Sequence, residues 1–262
     1  MVLVKNRLIA GIYRGIVGTI GIFAVLDGIG MFSKEKKPVK LLYFTEQSNI
    51  IGCMMMIVFS SMSIYDHSKK TANGPSYFPK IHYCITVAIT VTMIVYWTVL
   101  LPSFGYSELV WRFPNLMEHL FTPLCIIIDN VLFIRGGVLK WMHPLVFLVV
   151  PVVYLIEATI AGFSGAVFKV KGEEVYRFPY FFIDYDRAKG YVALYSLGIV
   201  VGYAGIGYFY LFVDQKLKTR TKEDDTVERE SESGGKDEHI EKEYIEVKQD
   251  QDSNLMHTSL LQ

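Results

Sequence analysis

The heptapeptide Tyr43-Phe44-Thr45-Glu46-Gln47-Ser48-Asn49 places hydroxyls, amides and a carboxylate at the mouth of a run otherwise suited to hydrocarbon. Such groups cost free energy in an apolar medium unless partners or water satisfy them, so they mark a candidate site. Thr45, Ser48 and Asn49 stand at i, i+3 and i+4, on one face of a helix. A threonine hydroxyl is a weak nucleophile until a base takes its proton, and His119 is the histidine expected at matching depth. The chemistry of that pair would be acyl transfer. Gln47, Ser48 or Asn49 would donate to a developing oxyanion, and Glu118, Asp129 or another carboxylate would orient the imidazole. The same residues also read as polar groups that cap helices and bond between them, and spacing leaves both readings open.

Six apolar runs are long enough to carry these residues across a bilayer, which takes about 20 residues each. They cover roughly residues 8–32, 46–65, 81–102, 117–135, 141–163 and 191–213. The expected fold is an all-α membrane protein, a six-transmembrane-helix bundle that spans the membrane several times. The first run has no small-x-small cleavage pattern and is expected to remain as a helix. In it Gly11, Gly15 and Gly18 bare one face for close helix contact. The third run is rich in β-branched residues, but a segment in lipid must satisfy its own backbone, so helix is expected. Pro144 and Pro151 should start and bend the fifth. His67 and His82 are expected at the interface.

A serpentine of six helices returns to one face at its first, third and fifth loops. Asp27, Thr45, Gln47, Ser48, Asn49, Glu118, His119, Glu157 and Asp184 therefore fall at one end of the bundle. Asp27 reads equally as a site residue and as an interfacial one. Asp129, ten residues past His119, lies about 15 Å deeper.

Hydrophobic residues make up 52% of the chain and aromatic residues 14%, too apolar for an ordinary soluble domain. Charge divides it in two. Residues 1–213 carry 18 Lys and Arg against 12 Asp and Glu, and residues 214–262 carry 8 against 14. The transmembrane domain is thus expected over 1–213, followed by a disordered acidic C-terminal tail over 214–262 with a short helix near 237–248. Cys53, Cys84 and Cys125 lie singly in apolar runs and read as packing residues.

Several chemistries are excluded. Gly162-Phe163-Ser164-Gly165 has the form of an intramembrane serine protease motif, but the following helix offers no histidine base. Haem would need two axial histidines at one depth, and His119 and His143 begin helices that run in opposite directions. Zinc hydrolysis wants about three protein ligands, and this end offers one histidine and no useful cysteine. The chain has no phosphate loop and no nucleic-acid surface. No metal or cofactor is needed.

Three blocks, Phe44-Thr45-x-x-Ser48-Asn49, His119-x3-Pro123-x5-Asp129 and Phe178-Pro179-Tyr180-x3-Asp184, resemble the recurring blocks of the six-helix Pr6Pr membrane proteins. That group is similar to the androgen-induced and androgen-dependent TFPI-regulating proteins, and the resemblance spans about residues 8–213. It implies a multi-pass threonine hydrolase that cleaves fatty acid esters of hydroxy fatty acids, with Thr45 and His119 in the positions of its catalytic pair. The expected partner is a membrane lipid or lipid ester. The alternative is a carrier or lipid-binding protein that uses the same polar cluster.

Overall fold

An isolated helix satisfies its own backbone in hydrocarbon, so what decides the fold is how side chains that cannot face lipid are covered. The first helix sorts its residues on that rule. It turns Ile9, Ile12, Ile16, Ile20 and Phe23 outward and buries Ala10, Gly11, Arg14, Gly18, Gly21 and Ala24. The computed structural model describes residues 2–71, 74–104, 108–171 and 173–218. Their six spans are α1 (Arg7–Gly28), α2 (Phe44–Ser68), α3 (Pro79–Ser103), α4 (Phe113–Phe133), α5 (His143–Phe163) and α6 (Tyr191–Lys218). All six are long and apolar enough to cross a bilayer, and the chain is an integral, multi-pass, all-α membrane protein.

The glycine face of α1 lies against α2. A Cβ on Gly11 would come within 2.8 Å of the Ile64 side chain, and one on Gly18 within 2.9 Å of the Cys53 carbonyl. Ser60 fastens the contact by donating to the Gly11 carbonyl at 2.6 Å. Met55, Met56 and Phe59 of α2, Ile89 of α3 and Ile126 of α4 form one core. A second packs Tyr83, Val87 and Val91 of α3 against Phe147 of α5 and Tyr203 and Tyr210 of α6.

Local chemistry shapes several helices. α5 is interrupted by a turn at Leu148, next to the carbonyl of residue 147 that the Pro151 ring crowds. α3 and α4 each contain one π-helical turn, at Tyr96–Leu100 and Met117–Phe121. After α5 comes a two-stranded antiparallel hairpin, β1 (Lys169–Lys171) with β2 (Glu174–Tyr176). α6 continues past residue 213 to Lys218. Asp214, expected to open the tail, is buried and accepts from the Val138 and Leu139 amides at 3.2 and 2.9 Å. The remainder of the expected tail and its short helix lie outside the described residues.

A fully buried polar cluster joins four helices. Arg14 of α1 is fully buried and meets both oxygens of Asp129 of α4, Nε to Oδ1 at 2.7 Å and Nη2 to Oδ2 at 3.2 Å. Its Nη1 donates to Ser63 of α2 at 3.1 Å and to the Pro75 carbonyl at 2.8 Å. Phe59, Tyr77 and Phe133 place their rings 5.4 to 5.9 Å from the guanidinium carbon. His82 of α3, expected at the interface, is instead fully buried, with Nε2 2.7 Å from Asp129 Oδ2.

Deleting one member of a buried ion pair leaves the other charge uncompensated, a loss of about 3–5 kcal/mol, whereas apolar replacement of both is far milder. Asp129→Leu is therefore expected to lower thermal stability in micelles sharply, and Arg14→Met added to it is expected to restore much of the loss. A double variant no more stable than Asp129→Leu would show that the pair does not hold α1 to α4.

Candidate functional site

α2 begins at Phe44 with Tyr43 in extended conformation as its N-cap, which puts Thr45 in the first turn beside Tyr180. The Thr45 backbone amide donates to the Tyr180 hydroxyl oxygen at 3.4 Å, and the two hydroxyls stand 3.5 Å apart. Burial holds the Tyr180 phenol well above the usual tyrosine range, so it stays protonated and can donate. Tyr180 is fixed by its rings' neighbours: Phe182 stacks on it at 5.0 Å, and Tyr43 meets it edge-on at 5.5 Å. Burial, with Glu46 nearby, also pushes the Tyr43 phenol up to about 12.

Thr45 and Tyr180 open onto a cavity of about 70 Å³ between the start of α2, α3, α5, α6 and the Tyr180–Ile183 segment. Its walls include Val91, Val95, Leu155, Ile199 and Val200. The residues among its lining that carry a polar side-chain group are all hydroxyl-bearing, Thr45, Thr92, Tyr154, Tyr180, Ser196 and Tyr203. The hydroxyls of Ser196 and Tyr203 are buried without a hydrogen-bond partner among the described residues. A lining of aliphatic walls and neutral hydroxyls suits an acyl chain with an ester or hydroxyl group, and offers no charge to an ionic solute.

His119 sits in the π-turn of α4. Its ring stacks on Tyr96, in the π-turn of α3, at 3.7 Å and 25°. Nδ1 lies 2.9 Å from the Asn115 carbonyl, an acceptor only, so Nδ1 carries a proton, and in its neutral form the ring presents Nε2 as a bare lone pair. Trp97 donates to the His119 carbonyl at 2.9 Å, and Asn115 donates to the Tyr96 hydroxyl at 2.6 Å. Both π-turns thus meet around the imidazole, a setting common at functional sites. The orienting group is the Asn115 carbonyl, where Glu118 or Asp129 was expected.

Asn49 links the two halves. Its Nδ2 donates to the Thr45 carbonyl at 2.9 Å and to the Glu118 carbonyl at 3.0 Å. No hydrogen bond joins Thr45 to His119 themselves, and His119 does not line the cavity. The expected oxyanion donors are engaged elsewhere. Gln47 Nε2 donates to Glu157 at 2.7 Å and to the Leu41 carbonyl at 3.2 Å. Ser48 Oγ lies 2.8 Å from Thr92 Oγ1 and 3.1 Å from the Thr45 carbonyl. The hydroxyl beside Thr45 belongs to Tyr180.

Thr45, Gln47, Ser48, Asn49, Glu118, His119 and Glu157 therefore form a connected neighbourhood at one end of the bundle. Asp184 and Asp129 do other work. Asp184 accepts from the Asp186 and Arg187 amides and from the Arg187 side chain, which fixes the turn after Tyr180. Asp129 belongs to the Arg14 cluster. Tyr96, Trp97 and Asn115 escape sequence reasoning because nothing in an aromatic pair near a helix end marks it as the floor of an imidazole. Among the described residues no three His, Cys, Asp and Glu side chains group as metal ligands. No family model, curated protein or solved structure matches the chain.

The tautomer assignment is open to direct measurement. In ¹⁵N spectra of histidine-labelled protein in micelles, His119 is expected as the Nδ1–H form, and the Tyr96→Leu variant is expected to shift its resonances. An Nε2–H form in the wild type would leave no lone pair free to accept a proton from that side.

Proposed function

We propose that this protein is an intramembrane hydrolase of lipid esters, with Thr45 as nucleophile and His119 as general base. One observation carries the reading: a buried threonine lines an apolar cavity while Asn49 ties its backbone carbonyl to that of Glu118, the residue before an imidazole whose Nε2 is free. The resemblance of its three sequence blocks to the androgen-induced hydrolases points the same way.

In the proposed reaction an ester enters from the bilayer with its acyl chain among Val91, Val95, Ile199 and Val200. His119 Nε2 takes the Thr45 hydroxyl proton as Oγ1 bonds to the carbonyl carbon. The tetrahedral oxyanion accepts from the Tyr180 hydroxyl. Its collapse breaks the C–O bond to the alcohol, which leaves with the proton from the imidazolium. A water deprotonated by the same imidazole then attacks the acyl-threonine, releasing the fatty acid and restoring Thr45. Catalytic hydrogen bonds often tighten only when substrate is bound, so the separation of Thr45 and His119 in the free chain is compatible with this role.

A second reading, a lipid-binding protein without catalysis, is favoured by one feature: the neighbour of the Thr45 hydroxyl is a phenol and not the imidazole. Hydrolysis of a fluorescent long-chain ester in proteoliposomes separates the two. His119→Ala is expected to slow release by roughly 10²–10⁴-fold, Thr45→Ala to abolish it, and Thr45→Ser to retain part of it. A wild type that binds the non-hydrolysable ether analogue yet releases no fatty acid would leave the binding reading alone standing.

A further inference from the structure

The contact between α2 and α4 holds two buried oxygens that accept hydrogen bonds and receive none. Glu118 is 2% exposed, and its Oε1 has no partner among the described residues. Asn49 is fully buried, and both of its amide hydrogens are engaged by the Thr45 and Glu118 carbonyls. That fixes the orientation of its amide and leaves Oδ1 as a second acceptor without a donor. Buried polar oxygens are ordinarily satisfied, and a carboxylate oxygen most of all, so the pair calls for a donor or a positive charge.

The surroundings favour positive charge. Glu46, in the first turn of α2, is a second buried carboxylate at this end of the bundle. Lys40 is engaged by Glu46 at 3.5 Å. The Glu118 carboxylate also rests against Gly28, the last residue of α1, where a Cβ would come within 2.6 Å of Oε1. It therefore faces the negative end of a helix dipole. Hard oxygen ligands beside a helix C-terminus are how membrane proteins hold sodium. Ca²⁺ would demand six to eight oxygens and more than one carboxylate in direct reach.

We propose that Glu118 Oε1 and Asn49 Oδ1 are ligands of a site for a monovalent cation, Na⁺, where α1, α2 and α4 meet. The site is independent of whether Thr45 reacts. Its test is thermal unfolding of the full chain in micelles, with NaCl titrated against choline chloride at constant ionic strength. Wild type is expected to show a saturable rise in Tm of roughly 3–6 °C at ten times the dissociation constant, with KCl less effective. Glu118→Gln keeps the shape and removes the charge, and it is expected to abolish the rise, while Glu157→Gln is expected to keep it. Should Glu118→Gln fail to fold, equilibrium dialysis of wild-type protein with ²²Na⁺ decides, one saturable ion per chain being expected. A wild type that neither responds to Na⁺ nor retains ²²Na⁺ would overturn the proposal and assign the two oxygens to water. So would a Glu118→Gln variant with an undiminished response.

Discussion

A guanidinium inside a bilayer cannot be left without a counter-charge, and the architecture follows from how Arg14 finds one. The cost of an isolated charge in hydrocarbon far exceeds what any single helix contact returns. Arg14 therefore fixes the register of α1 against α4 through Asp129, and it draws in Ser63 of α2 and the Pro75 carbonyl before α3. His82 brings α3 to the same carboxylate, its Nε2–H donating to Asp129 and its Nδ1 lying 3.1 Å from Asn130 Nδ2. With α1 and α4 locked near one end, their other ends also meet, and Gly28 comes to lie against Glu118.

The two polar centres differ in how their charged groups are satisfied, and that difference separates their roles. Around Asp129 the charged groups answer one another: the carboxylate receives the guanidinium and the imidazole, and aromatic rings close over the guanidinium, while Asn130 Oδ1 beside His82 is left unmatched. Such a centre has little left to offer a ligand. At the other end Glu118 Oε1, Asn49 Oδ1, Tyr203 Oη and Ser196 Oγ are buried and unmatched. Unsatisfied groups lower stability, and a buried carboxylate oxygen among them keeps capacity for binding there.

Much of this was legible in the sequence. Apolar run lengths marked all six spans, the spacing of Gly11, Gly15 and Gly18 marked a face of the first helix for close contact, which α2 fills, and serpentine topology brought Thr45, Asn49, Glu118 and His119 to one end. Arg14 was also legible in principle. It lies about 10 Å into α1 from one face, close to the depth of Asp129 measured from that face along α4, and a lone cation in an apolar run needs such a partner. The pairing spans 115 positions, so no local pattern announces it. His82 misled because the third residue after Pro79 reads as a helix end, where solvent is the default neighbour. The π-turns were beyond reach, since one extra residue in a turn leaves no mark on composition, yet they set which residues of α3 and α4 face each other. Asp214 belongs with the bundle because two loop amides need an acceptor, a demand that only the folded chain creates.

Asn49 is the residue on which the two proposed activities bear together. Its donors tie the first turn of α2, which carries Thr45, to the π-turn that carries His119. Its Oδ1 is a proposed cation ligand. A positive charge at an amide oxygen polarises the group and strengthens the hydrogen bonds that its N–H groups donate. Cation occupancy would thereby tighten the bridge between the Thr45 and Glu118 carbonyls, and loss of the ion would loosen it. Coupling of this kind needs no conformational switch, because one amide, fixed by its two donor bonds, reports the state of one site to the other.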